Sequence, residues 1–242
     1  MSPETAGLPV HLAERERPFW GFAEILVVAA VFLVGALAAG TLVKTVGPSL
    51  HLNPELGLAQ LLVEFAAYGL VFAALKILFA RYGEPLFESL GWVSHNLKPL
   101  HLAVTGVILA AVVVMLGNLL QFPNVETPFD KLLNDRASRF AIAAFGVSLG
   151  PIIEELLFRG FLQPVLVNAF GVLYGILATS LVFGALHLTQ NAGVWQSGAL
   201  ITLVGFVLGV IRHLSGSTKA SSVAHIGYNA LPFVVLLVSG KP

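Results

Sequence analysis

The chain has 242 residues, of which 57% are hydrophobic and 11% are charged, and its mean hydropathy is +0.87. Soluble domains carry about 25% charged residues, so this composition indicates an integral membrane protein. The formal net charge is zero and no block of lysine and arginine occurs, which excludes nucleic acid as a partner. The absence of cysteine excludes disulfides, thiolate metal ligands and a cysteine nucleophile.

Seven apolar stretches are long enough to cross a bilayer, which needs about 20 residues per helix. They lie at about 19–43, 58–80, 100–122, 139–167, 172–190, 196–213 and 219–239. The pattern predicts an all-α fold, a polytopic membrane helix bundle of about seven (six to eight) transmembrane helices with the catalytic site inside the bundle. We expect residues 1–18 to form a polar N-terminal tail and residues 19–242 to form a single integral-membrane domain.

The two ends of these spans differ in their content of lysine and arginine. More of these residues fall on the N-terminal side of the membrane than on the other side. Because cytoplasmic loops are enriched in lysine and arginine, the distribution favours a cytoplasmic N-terminus. The composition, rich in Ala, Gly, Val and Leu, suggests a multi-pass protein of a prokaryotic plasma membrane.

The fourth stretch contains charged side chains, in the sequence PIIEELLFRGFLQP. An ionised residue at the centre of a membrane helix costs about 2.5 to 3.5 kcal/mol, so such residues usually have a function. Glu155 and Arg159 are four positions apart and can pair on one helix face. Glu154 points about 100° away around the helix, which makes it the candidate general base. A buried structural ion triad is the alternative interpretation of these three residues.

Two later spans add polar residues at helical spacing. His187 follows Phe183 by four positions, so the aromatic ring can pack beside the imidazole. His225 and Asn229 share one face of the last span, and their N–H groups could stabilise an oxyanion.

A helix stop lies midway between Glu154 and His187. Residues 168–171, with the sequence NAFG, end in a glycine, which commonly closes a helix. A helical hairpin that turns there places Glu154 and His187 at the same height, each about 25 Å of helix from the turn. We therefore expect the two side chains to share one water molecule.

The three motifs EExxxR, FxxxH and HxxxN, which end at Arg159, His187 and Asn229, resemble in order and kind those of the CAAX-protease and bacteriocin-processing (CPBP) family of membrane endopeptidases. The resemblance covers about the last 105 residues, and residues 1–130 match only as generic spans. It implies a catalytic core at about 130–239 that cleaves peptide bonds within the membrane. In the eukaryotic members the catalytic cavity is open to the cytosol.

The resemblance also implies roles for individual residues. Glu154 and His187 would activate water, while His225 and Asn229 would stabilise the oxyanion. The substrate would be a hydrophobic or membrane-associated peptide or protein, in some cases lipid-modified, and the bilayer itself is the other expected partner.

A zinc site is the alternative to a metal-free site. Glu154, His187 and His225 could serve as ligands, with the fourth position open to water. The sequence has no HExxH motif, however, and asparagine is an uncommon zinc ligand. We therefore favour a metal-free glutamate peptidase without a cofactor. Glu155 and Arg159 would hold the site together, and Phe183 would support His187.

Two non-proteolytic functions stay open. A membrane immunity or scaffold protein could keep the same residues as a packing core, and a proton-coupled transporter could use buried Glu and His as a proton relay. The second half of the chain shows no repeat of the first half, which argues against the transporter. Glu64, in the second span, matches no motif, and we expect a structural or interfacial role for it.

Overall fold

The computed structural model describes residues 18–53, 56–121 and 126–239, so most of the predicted polar tail lies outside the described residues. The first half contains the long helices α1 (Phe22–Val46), α2 (Gly57–Arg81) and α4 (Pro99–Leu119), with the short α3 (Leu86–Ser89) before α4. The second half begins with α5 (Pro128–Leu132), α6 (Arg136–Gly146) and α7 (Leu149–Glu155), followed by a π-helical segment (Leu156–Leu162) and α8 (Gln163–Phe170). It ends with α9 (Val172–Leu186), α10 (Trp195–Ser215) and α11 (Thr218–Ser239). Within these ranges every regular element is helical, which confirms the predicted all-α class.

Five helices of the described chain are long and apolar enough to cross a membrane, namely α1, α2, α4, α10 and α11. A sixth span results if α6 and the helix Leu149–Phe170, which meet at an angle of 43°, count as one broken span. The protein is therefore a multi-pass membrane protein. Six spans are the lower end of the predicted range, because the fifth apolar stretch, 172–190, forms a helix of only 15 residues, α9.

The apolar stretch 172–190 is longer than α9 because its last residues turn instead of continuing the helix. The chain from His187 to Gly193 forms consecutive turns, in which Gly193 N–H donates to the Leu188 carbonyl at 2.8 Å. Ala192 and Gly193 both have positive φ, which ends helical geometry. Apolar composition alone therefore overestimated the length of this helix.

The predicted helical hairpin is present. α8 ends at Phe170 and α9 begins at Val172, with Gly171 between them at φ +80°, a conformation that favours glycine. α9 packs against α8 on one side and against α10 on the other. This hairpin brings Phe183 and His187 of α9 next to the chain segment that carries the glutamates.

α11 carries the last motif and packs against α4, from the first half of the chain. Gly106 of α4 lies against the backbone of α11, and a Cβ added there would overlap the Ala224 carbonyl oxygen and approach the Tyr228 nitrogen to 2.6 Å. Small residues allow such close backbone contacts between membrane helices. The contact fixes α11 at the level of His225.

The loop that follows α3 covers the beginning of α11. Ser217 Oγ donates to the Val93 carbonyl at 2.6 Å, and Thr218 N–H donates to the Gly91 carbonyl at 2.8 Å. Ser217 and Thr218 are fully buried under this loop. His225, about 10 Å further along α11, therefore lies inside the bundle although it follows the start of the helix by only two turns.

We predict that Gly106→Val destabilises the protein by about 1 to 3 kcal/mol, the usual cost of overpacking a close contact. The added side chain would have to push α11 away from α4. The measurement is the thermal unfolding midpoint in detergent micelles. Gly40→Val is the matched control, because a Cβ at Gly40 meets nothing within 4 Å. Equal midpoints for the two variants would contradict the proposed contact.

Candidate active site

A cavity of about 480 Å³ opens into the bundle between α2, the α5–α6 region, α7 and helices α9 to α11. The exposed residues Pro128, Thr189 and Gln190 line one edge of the cavity, which we call its mouth, and α5 there packs on Gly57 at the beginning of α2. All four residues predicted to be catalytic line the cavity: Glu154, His187, His225 and Asn229. The fold thus brings together side chains from three helical segments that are far apart in the sequence.

His225 lies between the two adjacent glutamates. Its Nδ1 is 3.0 Å from Glu155 Oε1, and its Nε2 is 3.6 Å from Glu154 Oε2. Glu155 is fully buried, whereas the Glu154 side chain is 25% exposed and faces the cavity. The two carboxylates therefore have different surroundings, and Glu154 has a neighbour, His225, that helical spacing did not indicate.

Arg159 holds Glu155 in place from the opposite side. Its Nη1 donates to Glu155 Oε1 at 2.7 Å, and its Nη2 donates to the Gly205 carbonyl of α10 at 2.9 Å. The guanidinium also lies 4.6 Å from the centre of the Phe183 ring, a favourable cation–π distance. The ion pair expected from the sequence is present, and it links the π-helical segment to α9 and α10.

The π-helical segment Leu156–Leu162 continues directly from α7 and includes Arg159. π-helical turns are rare and often occur at functional sites. Gln163, which follows the segment, donates from Nε2 to the Gly209 carbonyl at 3.1 Å, one turn beyond the Arg159 contact on α10. The Phe161 carbonyl accepts from the Trp20 indole at 2.9 Å. Polar contacts to two other parts of the chain thus hold the segment.

His187 is held in one tautomer by its own helix. Nδ1 lies 2.7 Å from the Phe183 carbonyl, and because a carbonyl can only accept, Nδ1 carries the hydrogen. Nε2 of the neutral ring is then a hydrogen-bond acceptor. The Phe183 ring packs 4.5 Å from the imidazole. His187 and Glu154 share the cavity wall, and the water that they would share stays a prediction.

Asn229 is fixed by the end of α6. Its Nδ2 donates to the Gly146 carbonyl at 2.7 Å, which uses one of the two N–H groups of the amide. The second N–H is left to donate to a ligand in the cavity, which Asn229 lines. Asn229 lies one helical turn after His225 on α11, so the two side chains line the same side of the cavity.

The zinc alternative depends on Glu154, His187 and His225. Glu154 and His225 approach each other to 3.6 Å, but no three His, Asp or Glu side chains of the described residues are arranged to hold an ion. Nδ1 of His225 contacts Glu155 and Nδ1 of His187 contacts the Phe183 carbonyl, which leaves Nε2 of both rings toward the cavity. Because histidines that bind zinc commonly hold their other ring nitrogen in this way, these contacts fit both alternatives.

Glu64 is a cavity residue that the motifs did not indicate. It lies on α2, across the bundle from the motif helices, and lines the same cavity as Glu154. Gln60, one turn earlier, lies at hydrogen-bond distance, 3.5 Å from Glu64 Oε1. The available signal was a carboxylate within an apolar span, which on its own indicates a functional position.

Comparison with known proteins gives one match. Residues 136–231, from α6 to the middle of α11, match the family model described as type II CAAX prenyl endopeptidase Rce1-like. The matched segment contains all seven residues singled out by the three motifs. No curated protein and no solved structure matches the chain significantly.

We predict that Arg159→Met destabilises the protein by about 3 to 5 kcal/mol, because it leaves the fully buried Glu155 carboxylate without its cation. The double variant Glu155→Gln with Arg159→Met removes both charges and should recover part of this loss. Unfolding in mixed detergent and denaturing micelles measures both effects. A double variant as unstable as Arg159→Met alone would contradict the assignment of the loss to an unpaired charge.

Proposed function

Because residues 136–231 match the type II CAAX prenyl endopeptidase Rce1-like family, we propose that the chain belongs to this family and is an intramembrane endopeptidase of the glutamate type. The observation that carries the proposal is the cavity inside an apolar helical bundle, lined by Glu154, His187, His225 and Asn229. A carboxylate, an imidazole with a free acceptor and two N–H donors are the groups that amide hydrolysis by water requires.

In the proposed mechanism, Glu154 and His187 Nε2 bind and orient one water molecule. The water oxygen attacks the carbonyl carbon of the scissile amide while its proton moves to the Glu154 carboxylate. The tetrahedral oxyanion accepts hydrogen bonds from the second N–H of Asn229 and from His225 Nε2–H. The C–N bond then breaks, and Glu154 returns the proton to the leaving amine, so the products are a carboxylate and an amine.

Glu155 and Arg159 act as positioning residues in this proposal. Donation by His225 to the oxyanion requires a proton on Nε2 as well as on Nδ1, since Nδ1 faces Glu155 at 3.0 Å. Glu155 orients the imidazole of His225. Arg159 holds Glu155, and the Phe183 ring packs against the imidazoles of both His187 and His225. Such support fixes the catalytic geometry without contact to the substrate.

The walls of the cavity suit an apolar substrate. Phe129, Leu132, Phe145 and Phe233 line it beside the polar residues. We propose that the substrate is a hydrophobic or membrane-associated peptide or protein that reaches the site from the bilayer. Members of the family act on lipid-modified substrates, and a lipid-modified peptide is one such substrate for this chain.

We further propose that the cavity opens on the extracytoplasmic side of a prokaryotic plasma membrane. Its mouth lies at the end of the bundle where α2 begins, and Trp20, which precedes α1, lies at the opposite end beside Phe79 near the end of α2. A cytoplasmic N-terminus, which the distribution of lysine and arginine favours, places the mouth outside. The eukaryotic members instead open to the cytosol.

We predict that Glu154→Gln and His187→Gln each lower the rate of peptide cleavage by about 10²- to 10⁴-fold, the usual contribution of a general base. The measurement is cleavage of an internally quenched apolar peptide by purified protein in detergent. Glu88→Gln, an exposed glutamate on α3 outside the cavity, is the matched control and should keep full activity.

The same assay separates the alternatives. Full activity of both variants would rule out the proposed mechanism, and activity that is abolished by a chelator and restored by zinc would replace it with a metal mechanism. A scaffold or immunity protein would show no cleavage, and its Glu154→Gln variant would keep its phenotype in cells.

The cysteine-free chain allows a direct test of orientation. We predict that Thr189→Cys, at the mouth of the cavity, reacts with a membrane-impermeant maleimide in intact cells. Lys98→Cys, exposed at the other end of the bundle before α4, should react only after the membrane is opened. The reverse pattern of labelling would place the cavity mouth on the cytoplasmic side.

A further inference from the structure

Glu64 extends the cavity wall beyond the segment that the family defines. It lies on α2, about 10 Å along the helix from Gly57 at its beginning, and lines the cavity together with Glu154 of α7. The side chain is half-buried, and of the described residues Gln60 gives it one long hydrogen bond of 3.5 Å. Gln60 also lines the cavity, so the pair presents a carboxylate and an amide to its interior.

No described lysine or arginine balances this carboxylate. None lines the cavity, and within the described residues none forms an ion pair with Glu64. This differs from Glu155, which is paired with Arg159, and from Glu154, which has His225 at 3.6 Å.

An unpaired carboxylate in an apolar helix is retained against its insertion cost when something in the cavity pairs with it. A cavity of about 480 Å³ with polar lining has room for water, which can solvate the carboxylate. A peptide that enters displaces this water, and the carboxylate then needs a partner from the peptide itself. The hydrogen-bond acceptors of Glu64 suit a cationic nitrogen, which donates up to three hydrogen bonds.

We infer that Glu64 is a specificity-determining residue, which pairs with a cationic nitrogen of the peptide substrate a few residues from the cleaved bond. The inference rests on the proposed function and names its substrate class. The nitrogen comes either from a lysine or arginine side chain or from a free N-terminal amine. The chain would thus cleave apolar peptides that carry a positive charge near the cleaved bond.

The same charge disfavours a substrate that inserts a free C-terminal carboxylate into the cavity. Glu64 and Glu154 both line the cavity, and like charges in a site of low dielectric repel strongly. For this chain, cleavage at an internal bond near a cation is therefore favoured over cleavage of a bond next to a free C-terminus.

The experiment uses internally quenched peptides of Ala, Leu and Phe with blocked ends. A single Lys, norleucine or Glu is moved through the four positions on each side of the cleaved bond. At its best position, Lys should raise kcat/KM of the wild-type protein at least about tenfold over norleucine, since a charged hydrogen bond is gained, and Glu should lower it. A peptide with a free N-terminal amine in place of Lys distinguishes the two sources of the cation.

Substitutions of Glu64 test whether this residue causes the preference for Lys. Glu64→Gln should lower the ratio of kcat/KM for the Lys peptide to kcat/KM for the norleucine peptide to about one, and Glu64→Lys should turn the preference toward Glu. Glu88→Gln is the matched control and should keep the preference for Lys. A variant Glu64→Gln that loses activity equally on all peptides would overturn the inference, because Glu64 would then serve the chemistry or the fold.

Binding separates this inference from the proposed function. In Glu154→Gln protein, which should not turn over, fluorescence anisotropy with the Lys peptide should show weaker binding when Glu64→Gln is added. If the wild-type protein cleaves the norleucine peptide without any charge preference, the endopeptidase stands and the inference fails. If no peptide is cleaved but Lys peptides bind through Glu64, the proposed function fails and the cation site stands.

Discussion

The pairing of Arg159 with Glu155 is the interaction on which the arrangement of the site depends. Both side chains are fully excluded from solvent, and each has further partners: Arg159 reaches the Gly205 carbonyl and the Phe183 ring, and Glu155 reaches His225. One ion pair thus connects four helical segments. Because a buried charge that loses its partner is costly, the helices that carry these groups are held in one relative position.

This pairing also separates the two adjacent glutamates. Glu155 is paired with Arg159 and His225 inside the protein, while Glu154 faces the cavity with His225 as its neighbour. Neighbouring residues on a helix point in different directions. In the proposed mechanism this difference leaves Glu155 to position His225 and Glu154 to act on water. His187, whose Nδ1 is held by the Phe183 carbonyl, completes the set with a free acceptor on its other ring nitrogen.

Much of this could be predicted from the sequence, because both the spans and the i, i+4 pairs are local patterns. The apolar stretches located the helices, and the spacing of Glu155 and Arg159 predicted their ion pair. The contacts between distant segments could not be predicted, because they depend on how helices pack. Examples are the approach of His225 to Glu154, the hydrogen bond from Asn229 to the Gly146 carbonyl and the position of Glu64 in the cavity. The length of α9 was overestimated because the chain turns from His187 to Gly193, and the positive φ angles at Ala192 and Gly193 are not visible in an apolar pattern.

The contact between α4 and α11 has a consequence for how such a protein can diversify. α11 carries His225 and Asn229, but it rests on Gly106 and lies under the loop at Gly91, both of which precede the segment shared with the family. The matched segment therefore owes part of its shape to residues that lie outside it. Substitutions before residue 136 can shift the helix that carries His225 and Asn229, and so reshape the cavity, while both side chains stay the same.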